Sequence, residues 1–307
     1  MQRGLDLRII FLGTAAGLPT VERGLPAVLV EVEGEYILFD CGEGTQRQMV
    51  KAGLSLGRRM KVFISHLHGD HIFGLPGMIQ TMNLLNRVHP LDLYGPPGLC
   101  DFIQSTTIST MSEPTFQLTV NEVSQGSVFT GKNYRVEGAW VEHSRPNIAY
   151  RMTVGGSLGV FKPKMAMKLG IPQGPLWSQL KGGKSVKMED GRVVEPKDVL
   201  GSPVPGKVIV YSGDTSPSES LARLARGADI LIHEATLLDE LAELAERDGH
   251  STAGGVAKLA AEAGVGRLIL THISARYKDP GGLLAEAKRF FPRVEIARDL
   301  ASYELKI

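Results

Sequence analysis

Cysteine is scarce: Cys41 and Cys100 are the only two in 307 residues. That excludes a disulfide framework and suits a reducing compartment, with a structural role expected for both. Net charge is equally small, since 34 basic residues against 33 acidic ones leave +1. The chain is therefore not a globally basic polyanion binder, and any contact with nucleic acid must come from local patches. Long hydrophobic runs are missing too. None approaches the ~18 residues of a membrane span, and the stretch from Met1 to Asp6 carries no signal-peptide apolar core. The expectation is a cytoplasmic protein without a membrane partner. What the chain does have is 43% apolar residues, enough to bury one large domain or one domain with an appendage.

The most informative stretch is Ser65-His66-Leu67-His68-Gly69-Asp70-His71, directly after the apolar run Val62-Phe63-Ile64. A buried strand ends there and delivers three imidazoles and a carboxylate into one turn. His66 and His68 are two residues apart, so both can face one side of an extended segment, while Asp70 and His71 reach a second point nearby. Two metals fit this better than one. A chance surface cluster and a single structural metal are the competing readings. Imidazole and carboxylate without thiolate are the donors of catalytic rather than closed structural zinc sites.

Other strand ends repeat the pattern. The β-like run from Val136 to Val141 leads to His143, Lys207 to Tyr211 leads to Asp214, and Arg267 to Leu270 leads to His272. Asp229 to Ile232 closes on His233-Glu234-Ala235-Thr236, and Gly249-His250-Ser251-Thr252 opens a helix that Ser251 can cap. Strands also alternate with helices expected over Gln46 to Ala52, Ile72 to Asn86, Pro97 to Ser109, Leu237 to Arg247 and Pro280 to Phe291, which makes this an α/β layer protein. Val294 to Leu305 is expected to close the sheet. The Gly-rich turn Asp40 to Thr45 is a weak phosphate-cradle signal. Lys51, Arg58, Arg59 and Lys61 read as a solvated loop, with contact to an RNA stem as the alternative.

Residues 155–206 differ in character. They hold sixteen Gly or Pro and eight Lys or Arg against four acids, a local excess of +4. The expectation is one domain over 1–307 with an inserted flexible arm whose charge suits a phosphate backbone. A partnerless surface loop is the competing reading.

The motif His-x-His-x-Asp-His resembles that of the metallo-β-lactamase superfamily. From Leu12-Gly13-Thr14 to Ala297-Arg298-Asp299 the chain resembles the ribonuclease Z family within it, and the His-Glu-Ala-Thr and His-Ser-Thr runs at 233–236 and 250–252 are its strongest discriminators after the metal motif. Arg145 to Arg151 departs from the Ser-Tyr-Gly-Tyr-Arg-like run of many members. The resemblance implies a four-layer αββα sandwich and two Zn2+ per subunit, other divalent metals being possible. His66, His68 and His143 would bind one ion; Asp70, His71 and His272 the other; Asp214 would bridge, and Asp40 would support the ligands from behind.

The implied activity is endonucleolytic removal of the 3′ trailer from precursor tRNA, after the discriminator nucleotide, leaving a 3′-hydroxyl on the tRNA. The implied assembly is a homodimer. Asp70 is the expected base, and His250 oriented by Glu234 the expected general acid. Lys168 to Trp177 resembles the family's Gly-Pro arm, so Lys162, Lys164, Lys168 and Lys181 are expected to touch the substrate, as is Arg276. The rival readings are a broader phosphodiesterase or thioester hydrolase of the same fold, a non-catalytic RNA-binding relative with a decayed site, and a di-iron redox site.

Overall fold

The computed structural model describes residues 6–111, 113–156 and 158–306; the start of the chain, read above for a signal peptide, lies mostly outside them. The described residues form two compact units, one within 6–152 with 208–306 and one within 153–207.

Fourteen strands carry the two principal sheets. They are β1 Asp6–Gly13, β2 Ala27–Val32, β3 Glu35–Phe39, β4 Met60–Phe63, β5 Leu91–Gly95, β6 Leu118–Glu122, β7 Gly126–Thr130, β8 Tyr134–Val141, β9 Asn147–Val154, β10 Lys207–Tyr211, β11 Ile230–Glu234, β12 Arg267–Thr271, β13 Val294–Ile296 and β14 Ser302–Lys306. One seven-stranded sheet runs β14-β1-β2-β3-β4-β5-β6 and the other β13-β12-β11-β10-β9-β8-β7. Strands β3 to β6 are mutually parallel, as are β10 to β13. Parallel neighbours need crossovers, and helices supply them.

Period-two alternation sorts the side chains into layers. On the first sheet Ile10, Leu12, Leu29, Leu38 and Val62 point to a core shared with Met49, Leu75, Met78 and Ile103 of the helices Thr45–Lys51, Gly74–Leu84 and Leu99–Thr110. On the second, Val210, Leu231, Leu268 and Leu270 meet Leu221, Val256 and Leu283 of the helices Glu219–Ala225, Ala253–Glu262 and Gly281–Lys288. The alternate residues face the other sheet. Phe39 stacks on Tyr211 at 5.5 Å between ring centroids, Phe63 meets Tyr150 edge-on at 5.5 Å, and the Tyr150 hydroxyl donates to the Ile64 carbonyl at 2.7 Å. Both sheets are therefore buried on two faces, as parallel sheets require, and the expected αββα layering is the one observed.

Several local expectations need correction. The 72–86 helix is two pieces, Gly69–Ile72 and Gly74–Leu84, because the Gly74 N–H turns away to donate to the Cys41 carbonyl at 2.9 Å. The 237–247 helix is a 3-10 turn over Asp239–Leu241 followed by Ala242–Asp248. The closing segment is not one strand: β13 edges the second sheet, and β14 pairs antiparallel with β1 of the first. Strands β6, β7 and β9 add to those read from the sequence. The helix at Ala253 is capped by Thr252, whose side chain accepts from Gly255, while the Ser251 hydroxyl donates to the Thr215 carbonyl at 2.5 Å. Cys41 is buried, which pushes its thiol up to about 12, whereas Cys100 is exposed and packs in no core.

The unit at 153–207 is not an unstructured loop. Ala166, Ile171, Leu180, Val186, Val194 and Val199 form its own small core. The helices Pro163–Lys168 and Pro175–Lys181 each start with proline, whose fixed φ suits a first turn. Trp177 donates from Nε1 to the Ile171 carbonyl at 3.0 Å, and Lys181 lies over the Phe161 ring at 4.9 Å.

Candidate active site

The chemistry-bearing residues collect beyond the C-terminal ends of strands from both sheets. Asp40 follows β3, the His66 to His71 turn follows β4, His143 follows β8, Asp214 follows β10, Glu234 ends β11 and His272 follows β12. This is the rim where parallel strands expose their carboxyl ends to ligands. Two of these residues take left-handed backbone, Asp40 at φ 57° and His272 at φ 56°. Only a few per cent of non-glycine residues do so, with aspartate and histidine among the types that tolerate it best. Close backbone approach fixes the turn as well. A Cβ on Gly42 would stand 2.4 Å from the Asp70 carbonyl oxygen, and one on Gly74 2.1 Å from the Gly42 carbonyl oxygen. Gly42 and Gly74 thus serve helix and loop packing, whereas Gly44 serves the turn through its φ of 84°.

All seven residues expected as ligands are brought together, in two sets. His66 Nε2 and His143 Nε2 lie 3.0 and 3.2 Å from His68 Nδ1. In the second set, His71 Nε2 is 3.4 Å from His272 Nε2, 3.5 Å from Asp70 Oδ2 and 3.3 Å from Asp214 Oδ2, while His272 Nε2 is 3.4 and 3.2 Å from those two oxygens. A tetrahedron with bonds of ~2.0–2.1 Å to a central ion has edges of about 3.3–3.4 Å, so these separations outline such a cage. Asp214 Oδ2 is also 3.8 Å from His66 Nε2, and its Oδ1 is buried without a hydrogen-bond partner. An ionised carboxylate oxygen buried in that way is costly unless a cation faces it. The donor set fits divalent metal ions.

In His66, His71, His143 and His272 the opposite ring nitrogen is tied down, which orients these four imidazoles. His66 Nδ1 contacts Ser65 Oγ at 3.0 Å, His71 Nδ1 donates to Asp40 Oδ2 at 2.7 Å, His143 Nδ1 donates to the Gly249 carbonyl at 2.7 Å, and His272 Nδ1 meets Thr236 Oγ1 at 2.9 Å. Asp40 is fully buried and also accepts from Ser65 N, Ser65 Oγ and the Tyr211 hydroxyl at 2.7, 2.8 and 2.6 Å. Burial holds His66 and His68 below the ordinary imidazole value, helped by neighbouring imidazoles, so both are neutral donors. Burial opposes charge on Asp70 as well, yet His272 and His71 hold its carboxyl well below the usual range.

His250 and Glu234 stand beside the cage, with His250 Nδ1 2.9 Å from Glu234 Oε1. Burial disfavours the imidazolium, but Glu234, assisted by Asp214 and Asp248, outweighs it and raises His250 to about 9. The His250 ring centroid lies 5.2 Å from that of His143 and 5.4 Å from that of His272. A cavity of about 590 Å³ opens here, lined by Glu142, His143, Ser144, Ser216, Glu246 and His250 among others.

The expected substrate contacts are placed less tightly. Arg276 is exposed just beyond His272 and donates from Nε to Ser274 Oγ at 3.1 Å; Lys162, Lys164, Lys168 and Lys181 are all exposed on the 153–207 unit. Arg58 and Lys61 are ion-paired with Glu31 and Glu35, and Lys61 lies within β4 with its side chain largely covered rather than in a solvated loop. Sequence reasoning missed Ser65, Tyr211 and Thr236 as supports. Each flanks a recognised strand end, and that adjacency was the available signal.

Two mixed sheets sandwiched between helices, with a histidine and aspartate cage on one rim, define a hydrolase of the metallo-β-lactamase fold. The family described as "Beta-lactamase superfamily domain" matches residues 183–273, and that described as "Anti-Pycsar protein Apyc1" matches residues 7–158. The chain is 44% identical to ribonuclease Z of Methanosarcina mazei over 97% of its own length and 98% of the relative's. It is 39% identical to ribonuclease BN of Escherichia coli, covering 97% and 100%. The crystal structure of the short form of human tRNase Z superposes with a TM-score of 0.71 at 32% identity, covering 98% and 100%. The chain belongs to the ribonuclease Z family.

Proposed function

We propose that the chain is a zinc-dependent endoribonuclease that removes the 3′ trailer from precursor tRNA, hydrolysing the phosphodiester after the discriminator nucleotide and leaving a 3′-hydroxyl on the tRNA. The observation that carries this reading is the His and Asp cage with its His250–Glu234 neighbour, in a chain 44% identical to a ribonuclease Z. His66, His68 and His143 would hold one ion and Asp70, His71 and His272 the other, with Asp214 serving both. Nitrogen and oxygen donors at tetrahedral spacing suit zinc. Bound there, a metal pair supplies a water of lowered pKa and neutralises charge on the phosphate.

The chain's own groups do the rest. Asp70 accepts the proton of the attacking water. The bond between phosphorus and the 3′-oxygen breaks, and the departing alkoxide needs a proton in return. His250 gives it, because Glu234 keeps the imidazole protonated near neutral pH and aims its other nitrogen away from the carboxylate. The basic unit at 153–207 acts as the tRNA-binding arm, with Lys162, Lys164, Lys168 and Lys181 on phosphates and Arg276 on RNA near the cut. The enzyme works as a cytoplasmic homodimer; among the described residues no helix is long and apolar enough to cross a membrane.

The deciding experiment is cleavage of a 3′-extended precursor tRNA by zinc-loaded wild type, His68→Ala, and a variant lacking residues 159–198. Cutting beside the discriminator base that His68→Ala abolishes and the deletion weakens through KM supports the proposal. A wild type that ignores precursor tRNA yet hydrolyses a small phosphodiester or thioester would replace the substrate assignment with the broader one.

A further inference from the structure

Residues 14–24 form a strap that leaves the end of β1, passes the metal cage and returns to β2. Its tip is solvent-exposed from Gly17 to Glu22, so packing does not hold it in place. Hydrogen bonds at its base do. Thr14 N and Ala15 N both donate to the Gly24 carbonyl at 2.9 Å, and Arg23 Nη1 donates to Thr14 Oγ1 at 2.6 Å and to the Ala297 carbonyl at 2.8 Å. The centre of this base is Asp299, from the far end of the chain. Its Oδ1 accepts the Thr14 hydroxyl at 2.8 Å, and its Oδ2 accepts Gly24 N–H at 2.7 Å and Gln48 Nε2 at 2.9 Å. One carboxylate thereby ties both limbs of the strap to the turn between β13 and β14.

The strap in turn touches one member of the second donor set, Asp70, and the residues that directly follow another, His272. Gly17 N–H donates to Asp70 Oδ2 at 3.1 Å. Ala15 and Ala16 pair in parallel with Ile273 and Ser274, and Ile273 N donates to the Thr14 carbonyl at 2.9 Å. That bond directly follows His272, whose left-handed backbone needs such support. The hydrogen bonds of the first set, His66, His68 and His143, run instead to Ser65, to one another and to Gly249.

We propose that Asp299 is a positioning residue for one half of the site: by closing the strap it fixes Asp70 and His272, and so sets the affinity of the second metal position without touching the metal. The inference rests on the metal reading given under Proposed function. Groups that orient ligands from behind change metal affinity by roughly 10–100-fold when removed.

The test is zinc binding by the full-length protein, measured by competition with a chromophoric chelator and paired with thermal unfolding of the metal-free form. Wild type is expected to take up two ions. Asp299→Ala is expected to weaken one of them about 10–100-fold and to leave the other within roughly two-fold. Asp299→Asn, which keeps one acceptor oxygen, is expected to recover part of the loss, and Gln48→Ala, which removes the bonds to Asp299 and to the Leu12 carbonyl but leaves both ties of the carboxylate to the strap, to change neither ion. Should Asp299→Ala fail to fold, Thr14→Val removes a donor from the same carboxylate and carries the same comparison. Equal weakening of both ions, or a lower melting temperature with both affinities intact, would overturn the strap inference alone. A wild type that binds no zinc would overturn it together with the metal reading.

Discussion

His250 Nδ1 and Glu234 Oε1 are 2.9 Å apart, and Glu234 is completely buried. The same carboxylate accepts Thr215 N–H on Oε1, and Thr236 N–H, the Thr236 hydroxyl and Ser251 N–H on Oε2. A group so fully engaged cannot swing away, so the imidazole it orients is fixed relative to the cage. We expect His250→Ala to lower kcat for precursor tRNA about 10²–10⁴-fold, the range for losing one positioned acid. Zinc content should stay unchanged. Metal analysis beside single-turnover rates checks both statements.

The pair also predicts a pH response. His250 is raised to about 9, so its charged form persists below that value and is lost as the pH rises through it; its stabilising contribution is complete below the unfolded value of ~6.5. Glu234 is depressed by His250 against the opposing effect of burial, so its contribution is present above the unfolded value of ~4.3 and fades as the pH falls below it. NMR titration of the metal-free protein should place the His250 imidazole near 9. Glu234→Gln should bring it down by about one unit or more.

Metal removal should cost stability, because Asp214 Oδ1 is left buried without a partner. An ion at 100 times its dissociation constant contributes about 2.7 kcal/mol, and about 1.5 °C follows from each kcal/mol at this size. Stripping the protein with a chelator should therefore lower Tm by roughly 4 °C per ion. In Asp214→Asn, which lacks the charge serving both sets, zinc should restore much less of that loss. Thermal scans with and without zinc measure it.

Deleting residues 159–198 removes eight Lys or Arg, and the proposed arm acts by binding. The expected result is a raised KM with kcat largely kept, and a shallower dependence of log KM on log salt, since each lost phosphate contact removes about 0.7–0.9 from the slope. A kcat loss at constant KM would contradict the arm assignment. Cleavage kinetics at several salt concentrations separate the two.

Tyr150 joins the sheets by donating its hydroxyl to the Ile64 carbonyl at 2.7 Å, two residues ahead of His66. Tyr150→Phe keeps the ring packing against Phe39 and Phe63 but orphans that buried carbonyl. The expected cost is about 1–3 kcal/mol in urea unfolding.

What could be read from the sequence was whatever depends on neighbours along the chain. The His66 to His71 spacing, the strand ends at His143, Asp214 and His272, and the charge excess of 155–206 are local patterns. The misreadings came where distant partners decide. Nothing near Val294 says that β13 and β14 part into different sheets, because that depends on β1 and β12 offering their edges. Phe73 interrupts a helical pattern because the Gly74 N–H finds the carbonyl of Cys41.

The sequence, read with its family resemblance, supplied the layer class, the seven side chains of the cage, their division into two sets and the neighbouring His250 and Glu234. The tertiary structure alone decided which ring nitrogen of a histidine faces inward and that Asp299 holds the strap over Asp70. Those outcomes turn on hydrogen bonds between residues up to 285 positions apart, and the sequence interval between two groups carries no information about the distance that folding leaves between them.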